Sequence, residues 1–386
     1  MTDTREHQAP GPAVARVAVA TIAAKRHLSL VRVLAESFRQ HHPDVPFFVL
    51  LADEPADLVH PATEPFEVVP ITDVGMPALE RVRFQYSQQE LTYALTPYLL
   101  RHLLDRGFTG AAYLKQESLV TGDMCPVLDL LGHRSIVLTP HLLTPLDGPD
   151  ADARELNILQ SGVYNVGFLG VSATPTGRAF LAWWEDRLLD HCRRLIAQGL
   201  HFEQRWLDLV PSYFEDVAVV RDPGFNVGHW NLPDRRVTPD GDGFLVDGHP
   251  CRFVRFSGFD REHPTEVTRY NTRLTIANVG PAAALFARYV TLLDQAGFRQ
   301  TSAWPYAWDT FDDGTPIPDR AREWYRALGD EAARFGDPRD TRSPDSFLAW
   351  YRRKRRAEVL AGLRPRALVR RLVLGLKRIY WRLSSA

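Results

Sequence analysis

Lys115 and Glu117 stand two residues apart just beyond the apolar run GAAYL, an ammonium and a carboxylate at one strand exit. Arg255 follows another β-rich run, in CRFVRFSG. Taken singly, Lys115 and Glu117 are a solvated strand-end pair and Arg255 is a surface residue. Taken together, two cations at strand ends suit anionic oxygens, because a guanidinium grips two oxygens in its fork and an ammonium adds a compact charge. Other residue types exclude chemistries. No Gly-x-Gly-x-x-Gly or Walker A loop follows the first strand, which disfavours a dinucleotide dehydrogenase or P-loop enzyme. There is no Gly-x-Ser-x-Gly elbow and no His-Glu-x-x-His helix. Cys125, Cys192 and Cys251 are too few and too scattered for a disulfide framework or a zinc site, and a reducing cytosol is expected.

The elements that must position these groups alternate along the chain. VARVAVATIAA reads as a buried strand, HLSLVRVLAESFRQHH carries apolar residues at helical spacing, and VPFFVLLAD is a second strand ending at Asp53. Strand, helix, strand is a βαβ unit, which implies a parallel sheet with its chemistry at the strands' C-terminal ends. Phe66–Ile71, Gly107–Leu114, SIVLTP, SGVYNVGFLGVS and CRFVRFSG extend the strand set. Helices are expected over Gln88–Leu104, Thr176–Gln198 and Glu203–Leu209. From Pro281 the period is mainly helical. At 386 residues, 45% hydrophobic and 24% charged, the chain is an ordinary folded protein. Its nine Trp serve a core or a sugar-binding cleft.

AAYLKQESLVTGDM resembles a segment of bacterial GT-A glycosyltransferases in which a buried strand ends in Asp-x-Asp, followed by Gly-Asp-Leu. Tyr113, Leu114, Gly122, Asp123 and Met124 suit that frame, while Lys115 and Glu117 take the carboxylate positions. SGVYNVGFLGV resembles the family's Asn-x-Gly-Phe segment. FEQRWLDLVPSYF resembles Asp-Gln-x-x-Leu-Asn-x-x-Pro, with Glu203 at the Asp position and Gln204 retained. DPGFNVGHWNLPDR and FVRFSGFD resemble two later blocks. The last is usually His-Phe-Ser-Gly, whose His is a metal ligand in glycogenin-like enzymes; here it is Arg255. The order of these blocks, from Val14 to about Leu328, carries the likeness.

The resemblance implies an α/β GT-A fold, Rossmann-like, with a mainly parallel central sheet flanked by helices and a C-terminal helical extension. The expected division is a loose arm over 1–13, the glycosyltransferase domain over 14–280, a helical subdomain over 281–345 and a basic tail over 346–386. The implied reaction moves a sugar from a nucleoside diphosphate donor, UDP-sugar favoured, to a saccharide or lipid-linked acceptor. A catalytically inactive nucleotide-sugar-binding or scaffold protein in glycan assembly is the alternative.

A protonated lysine cannot ligate a metal, nor can arginine. Lys115 and Arg255 carry the formal charge of the absent cation, so a metal-independent diphosphate clamp is expected, with Glu117 orienting a cation or touching the donor. Mn²⁺ or Mg²⁺ is the alternative. Glu203 and Gln204 are expected at the anomeric carbon and acceptor; the alternative for Glu203 is a helix-start acid favoured by the dipole. Thr21, Ala23 and Asp53 are candidates for base and ribose, with Arg83, Glu90, Ser257 and Gly258 further donor-side candidates. Asn165, His229, Trp230 and Asn231 are candidates for the acceptor, an aromatic beside amides suiting a sugar face. Their bland readings are a turn asparagine, a packed Trp and a capped His.

The charge is unevenly spread. Twelve Lys and Arg against one acid, Glu358, lie between Arg352 and Arg382, leaving the rest of the chain acidic at an overall net charge of −1. Leu368, Val369, Leu372, Val373, Leu376, Ile379 and Trp381 fall there at helical spacing. An interfacial helix on an anionic membrane is expected, or a helix packed on protein; the acidic body argues against nucleic acid. With no apolar stretch of membrane-span length and no signal-type N-terminus, a cytoplasmic location, peripheral on the membrane's inner face, is expected.

Overall fold

The structure, a computed structural model, describes residues 16–362. The expected arm over 1–13 and the apolar part of the basic tail lie outside the described residues. Contacts divide the chain into two compact units, Met1–Pro77 with Gln88–Ala307, and Ala78–Ser87 with Trp308–Ala386. The division after residue 280 read from sequence is thus replaced by one after Ala307, and a ten-residue segment is ceded to the second unit.

The first unit is built on β1 (Val17–Ala23), α1 (Leu28–His41), β2 (Phe47–Leu51) and β3 (Glu67–Pro70). β1, β2 and β3 pair in parallel, as the βαβ pattern demands. β1 and β2 are near-continuous apolar runs because helices cover a parallel sheet on both faces. In α1 the residues Leu28, Val31, Leu34, Ala35 and Phe38 pack on Val19, Val49, Leu51 and Leu114 in one apolar cluster, which fits their helical spacing.

Ala78–Ser87 holds α2 (Leu79–Gln85) of the second unit. The chain then returns to the first unit with α3 (Gln88–Ala94), α4 (Thr96–Asp105), β4 (Gly110–Leu114) and β5 (Ser118–Val120). The single helix expected over Gln88–Leu104 is two helices. Pro97, lacking an N–H, is suited to a first turn and starts a new one. β6 (Ile136–Pro140), β7 (Tyr164–Ser172) and the strand Val217–Val219 complete a seven-stranded sheet. β7 alone runs antiparallel, between β4 and β6. This is the mainly parallel, helix-flanked α/β architecture expected.

The helix expected over Thr176–Gln198 runs Pro175–His191, opened by the Thr174 hydroxyl, which accepts from Gly177 N. Beyond it Arg194–Leu195 pairs with Leu200–His201. Glu203–Leu209, expected as α-helix, is a tighter 3₁₀ turn over Gln204–Leu209.

A second, two-stranded sheet matters most for the site. β5 pairs antiparallel with Phe253–Arg255, placing Arg255 opposite Ser118. The loop 222–230 lies against that strand, where Arg255 N donates to Val227 O at 2.7 Å and Val227 N donates to Phe253 O at 3.0 Å.

In the second unit Phe84, Phe311, Tyr325 and Phe347 form an aromatic core with the helices Asp319–Ala327 and Phe347–Gly362. Among the described residues no helix is long and apolar enough to cross a membrane.

Candidate active site

Lys115 lies one residue past β4, where its N–H donates to Gly167 O of β7 at 2.9 Å. Its side chain is 1% exposed, and Nζ donates to Glu203 Oε1 at 2.8 Å. Nζ also lies 3.1 Å from the centroid of the Tyr93 ring, a cation–π contact that replaces part of the lost hydration. Burial lowers the Lys115 pKa, and the Glu203 carboxylate opposes that shift. Trp184 Nε1 donates to Glu203 O at 3.2 Å and holds the residue's backbone.

Arg255 forms the second pair. Its Nε and Nη2 donate to Glu117 Oε1 at 3.2 and 3.0 Å, and Nη1 donates to Asn165 Oδ1 at 2.8 Å. Burial works against the guanidinium's charge, but Glu117, Tyr93 and Glu203 together outweigh it and the pKa is raised. Burial likewise pushes the Glu117 carboxyl up, while Arg255 and Lys115 outweigh that and hold it below its usual range.

The two expected spare charges are therefore each matched by a carboxylate, and the four groups are formally neutral. They are not exhausted as donors. A guanidinium has five N–H groups and an ammonium three, so Arg255 keeps two beyond its three bonds to Glu117 and Asn165.

Asn165 is built into the same network. Its Oδ1 accepts from Arg255 and from Gly167 N at 2.7 Å, and its Nδ2 lies 2.7 Å from His141 Nε2. His141 Nδ1 is 3.2 Å from Val163 O. The pattern assigns the neutral tautomer: Nδ1–H donates to Val163 and Nε2 accepts from Asn165. Burial, with lesser effects from neighbours including Arg255, brings the His141 pKa down to about 3.

The remaining candidates divide. Gln204 clamps backbone, accepting from Val166 N at 3.2 Å and donating to Ser161 O at 2.9 Å. Asn231 stabilises a turn, accepting from Gly228 N and donating to Asn226 O and His141 O. Trp230 sits with its ring centroid 5.6 Å from the Arg255 guanidinium, and His229 packs between Trp230 and Tyr270. Burial, then Arg255, lowers the His229 pKa to about 4. Asp53 pairs with Lys25 at 3.0 Å and accepts from Glu54 N and Ala307 N. Thr21 and Ala23 are buried in β1. Ser257 O accepts from Thr268 Oγ1 at 2.8 Å, and Gly258 has φ +74 with Thr268 and Tyr270 packed where a Cβ would stand. Glu90 lies in α3. Arg83 belongs to the second unit, where it pairs with Glu80 and lies over Trp308.

Sequence reasoning missed Tyr93 and His141, which enter the network through the fold alone, and Asn226, whose side chain lies beside it without a bond in it. An ammonium and a guanidinium, neither of which ligates a metal, pair with the carboxylates of Glu203 and Glu117. Among the described residues the one group able to gather on a cation is His42, Asp123 and Cys125. Its His42 Nε2 already accepts from Met124 N at 3.0 Å.

No family model matches the chain. It is 26% identical over 249 residues to YfnF of Bacillus subtilis (strain 168), covering 63% of this chain and 81% of that protein. It is 23% identical over 245 residues to YfnD of the same strain, covering 62% and 76%. Both relatives are described as uncharacterized. Among solved structures it is similar to the galactosyltransferase LgtC in complex with donor and acceptor sugar analogs, at 15% identity and a TM-score of 0.44, over 72% of this chain and 95% of that one. It is also similar to the glycosyltransferase GlyE of Streptococcus pneumoniae TIGR4, at 12% identity and a TM-score of 0.41, over 76% and 67%.

Proposed function

We propose that the chain transfers a glycosyl group from a nucleoside diphosphate sugar to a saccharide or lipid-linked acceptor, and does so without a divalent metal. The observation that carries this reading is the coupled pair of buried ion pairs, Lys115–Glu203 and Arg255–Glu117, at the end of β4 and beside it. Loss of a nucleoside diphosphate leaves negative charge on phosphate oxygens, and preorganised charge and hydrogen-bond donors are the usual means of stabilising it. Arg255 is the phosphate-facing cation in this reading, since its two further N–H groups can meet oxygens without breaking either ion pair. Lys115 is the positioning residue. Its ammonium holds Glu203 beside the reacting sugar, where a carboxylate can stabilise oxocarbenium charge or orient the acceptor hydroxyl.

UDP is the favoured nucleotide on the family resemblance alone. Membrane association through the basic tail is proposed on the sequence, since that segment lies outside the described residues.

The test is turnover of a panel of UDP-, GDP- and dTDP-sugars by the purified chain, with EDTA and then with added Mn²⁺. Equal rates in EDTA and Mn²⁺ are expected. Strict dependence on the added ion overturns the metal-free mechanism. Donor binding with neither transfer nor hydrolysis moves the reading to a non-catalytic nucleotide-sugar-binding protein.

A further inference from the structure

Asn226 lies in the loop 222–230 with φ +55, a left-handed backbone that asparagine adopts more readily than most residues. The residue is fully buried, yet neither Oδ1 nor Nδ2 has a hydrogen-bond partner among the described residues. A carboxamide has two donors and an acceptor oxygen to satisfy, and leaving them unmade in the interior is costly. The turn does not need this side chain. Asp222, Arg235, Arg154 and Asn231 provide the loop's side-chain bonds, and Asn226 contributes only its carbonyl.

The amide adjoins the ion pairs. A Cβ built on Gly167 would lie 2.5 Å from Asn165 Oδ1, 2.6 Å from Asn226 Oδ1 and 3.0 Å from Arg255 Cδ. Further unpartnered buried atoms gather around the same groups. Ser118 Oγ belongs to the residue opposite Arg255 in the strand register, the Trp230 ring that carries Nε1 is 5.6 Å from the Arg255 guanidinium, and the ring of Tyr113, whose hydroxyl is free, is 5.8 Å from Lys115 Nζ. Unsatisfied buried polar atoms are few in folded proteins. That five such atoms, the two of Asn226 with Ser118 Oγ, Trp230 Nε1 and the Tyr113 hydroxyl, lie about the two ion pairs marks a place for a ligand rich in hydroxyls. Asn165, the amide singled out by sequence, has its oxygen bonded twice and its nitrogen held by His141.

We propose that Asn226, rather than Asn165, supplies the carboxamide that hydrogen-bonds hydroxyls of the transferred sugar. This rests on the transferase reading above. Both amide atoms are covered in this conformation, so the sugar reaches them as the loop 222–230 or the Trp230 ring shifts from beside Arg255.

The test compares wild-type chain with Asn226→Gly, which suits the left-handed backbone, and Asn226→Asp, which keeps the shape but removes both N–H donors. Each is assayed with the accepted sugar nucleotide and with its mono-deoxy analogues. Wild type is expected to reject at least one deoxy analogue by about tenfold or more, since a site built around a hydroxyl is left with unpaired groups when it is missing. Both variants are expected to lose that discrimination while binding the free nucleoside diphosphate as wild type does in a thermal-shift titration. Retention of the wild-type preference in either folded variant overturns the assignment and leaves the transferase reading standing. Failure of wild type to turn over any sugar nucleotide removes that reading, and the role given to Asn226 with it.

Discussion

At the scale of single residues, the site is decided by what each charge is bonded to. Lys115 and Arg255 are visible in the sequence as cations in the places where the resemblance puts metal ligands. Their partners are not visible, because Glu203 is 88 positions from Lys115, and Glu117 is 138 from Arg255. A buried pair is costly to break, since removing one member strands the other without solvent. Lys115→Met should therefore lower unfolding stability by roughly 3–5 kcal/mol, while Lys115→Met combined with Glu203→Met should recover most of it. Urea denaturation of the three proteins checks this. A single variant as stable as wild type would mean that Glu203 can find water. Neither variant should transfer sugar, which separates the positioning role of the pair from its structural one.

At the scale of elements, Arg255 reaches the β4 exit because Phe253–Arg255 pairs with β5, and the loop before it is laid on the same strand. That arrangement depends on a close backbone approach at Gly224. Its carbonyl accepts from Arg252 N at 2.8 Å, and a Cβ there would lie 1.9 Å from Pro250 O. Backbone cannot yield as a flexible side chain can. Gly224→Ala should lower stability by about 1–3 kcal/mol, the usual range for forced overpacking, and should depress activity further by displacing Asn226. Thermal melting and donor turnover measured together check this. An unchanged melting temperature would show that the loop yields freely. The motif blocks made the order of these segments legible. They could not show Asn226, whose distinction is a left-handed backbone and an unpartnered amide.

At the scale of the whole molecule, buried His141 and partly buried His27 and His229 are held neutral. Burial, then Arg26, brings His27 down to about 4; burial, then Arg255, does the same for His229; burial leads the fall of His141 to about 3. Each value is below the ordinary 6.5, so between these limits the unfolded chain binds protons that the folded chain does not. Stability must then rise with pH across that window and be lost on acidification, each group contributing on the order of 3 kcal/mol. The Glu117 shift acts in the same sense, its contribution being lost as pH falls through the carboxylate range. The midpoint of urea unfolding should climb steeply from pH 4 to 6.5 and flatten above it. A flat profile over that interval would mean that these rings titrate normally. Protonation of His141 in the folded chain would also turn Nε2 into a donor facing the Asn165 amide, so any activity loss from that ring should come only near pH 3, below the stability limb.

The order of β1, α1 and β2, the buried character of the strands and the run of family-like blocks followed from local patterning, since apolar period and chain order are properties of the sequence itself. The resemblance of the motif blocks, rather than patterning, singled out Lys115, Glu117, Arg255 and Glu203. The break at Pro97 was legible locally, since proline suits a first helical turn. Two features were settled by tertiary structure alone. The regrouping of Ala78–Ser87 with residues beyond 307 depends on contacts across more than two hundred positions. The pairing of each cation with a carboxylate depends on which strand ends meet. A charge has no preferred partner until folding removes its water, and only then does distance decide whether it is spare or spent.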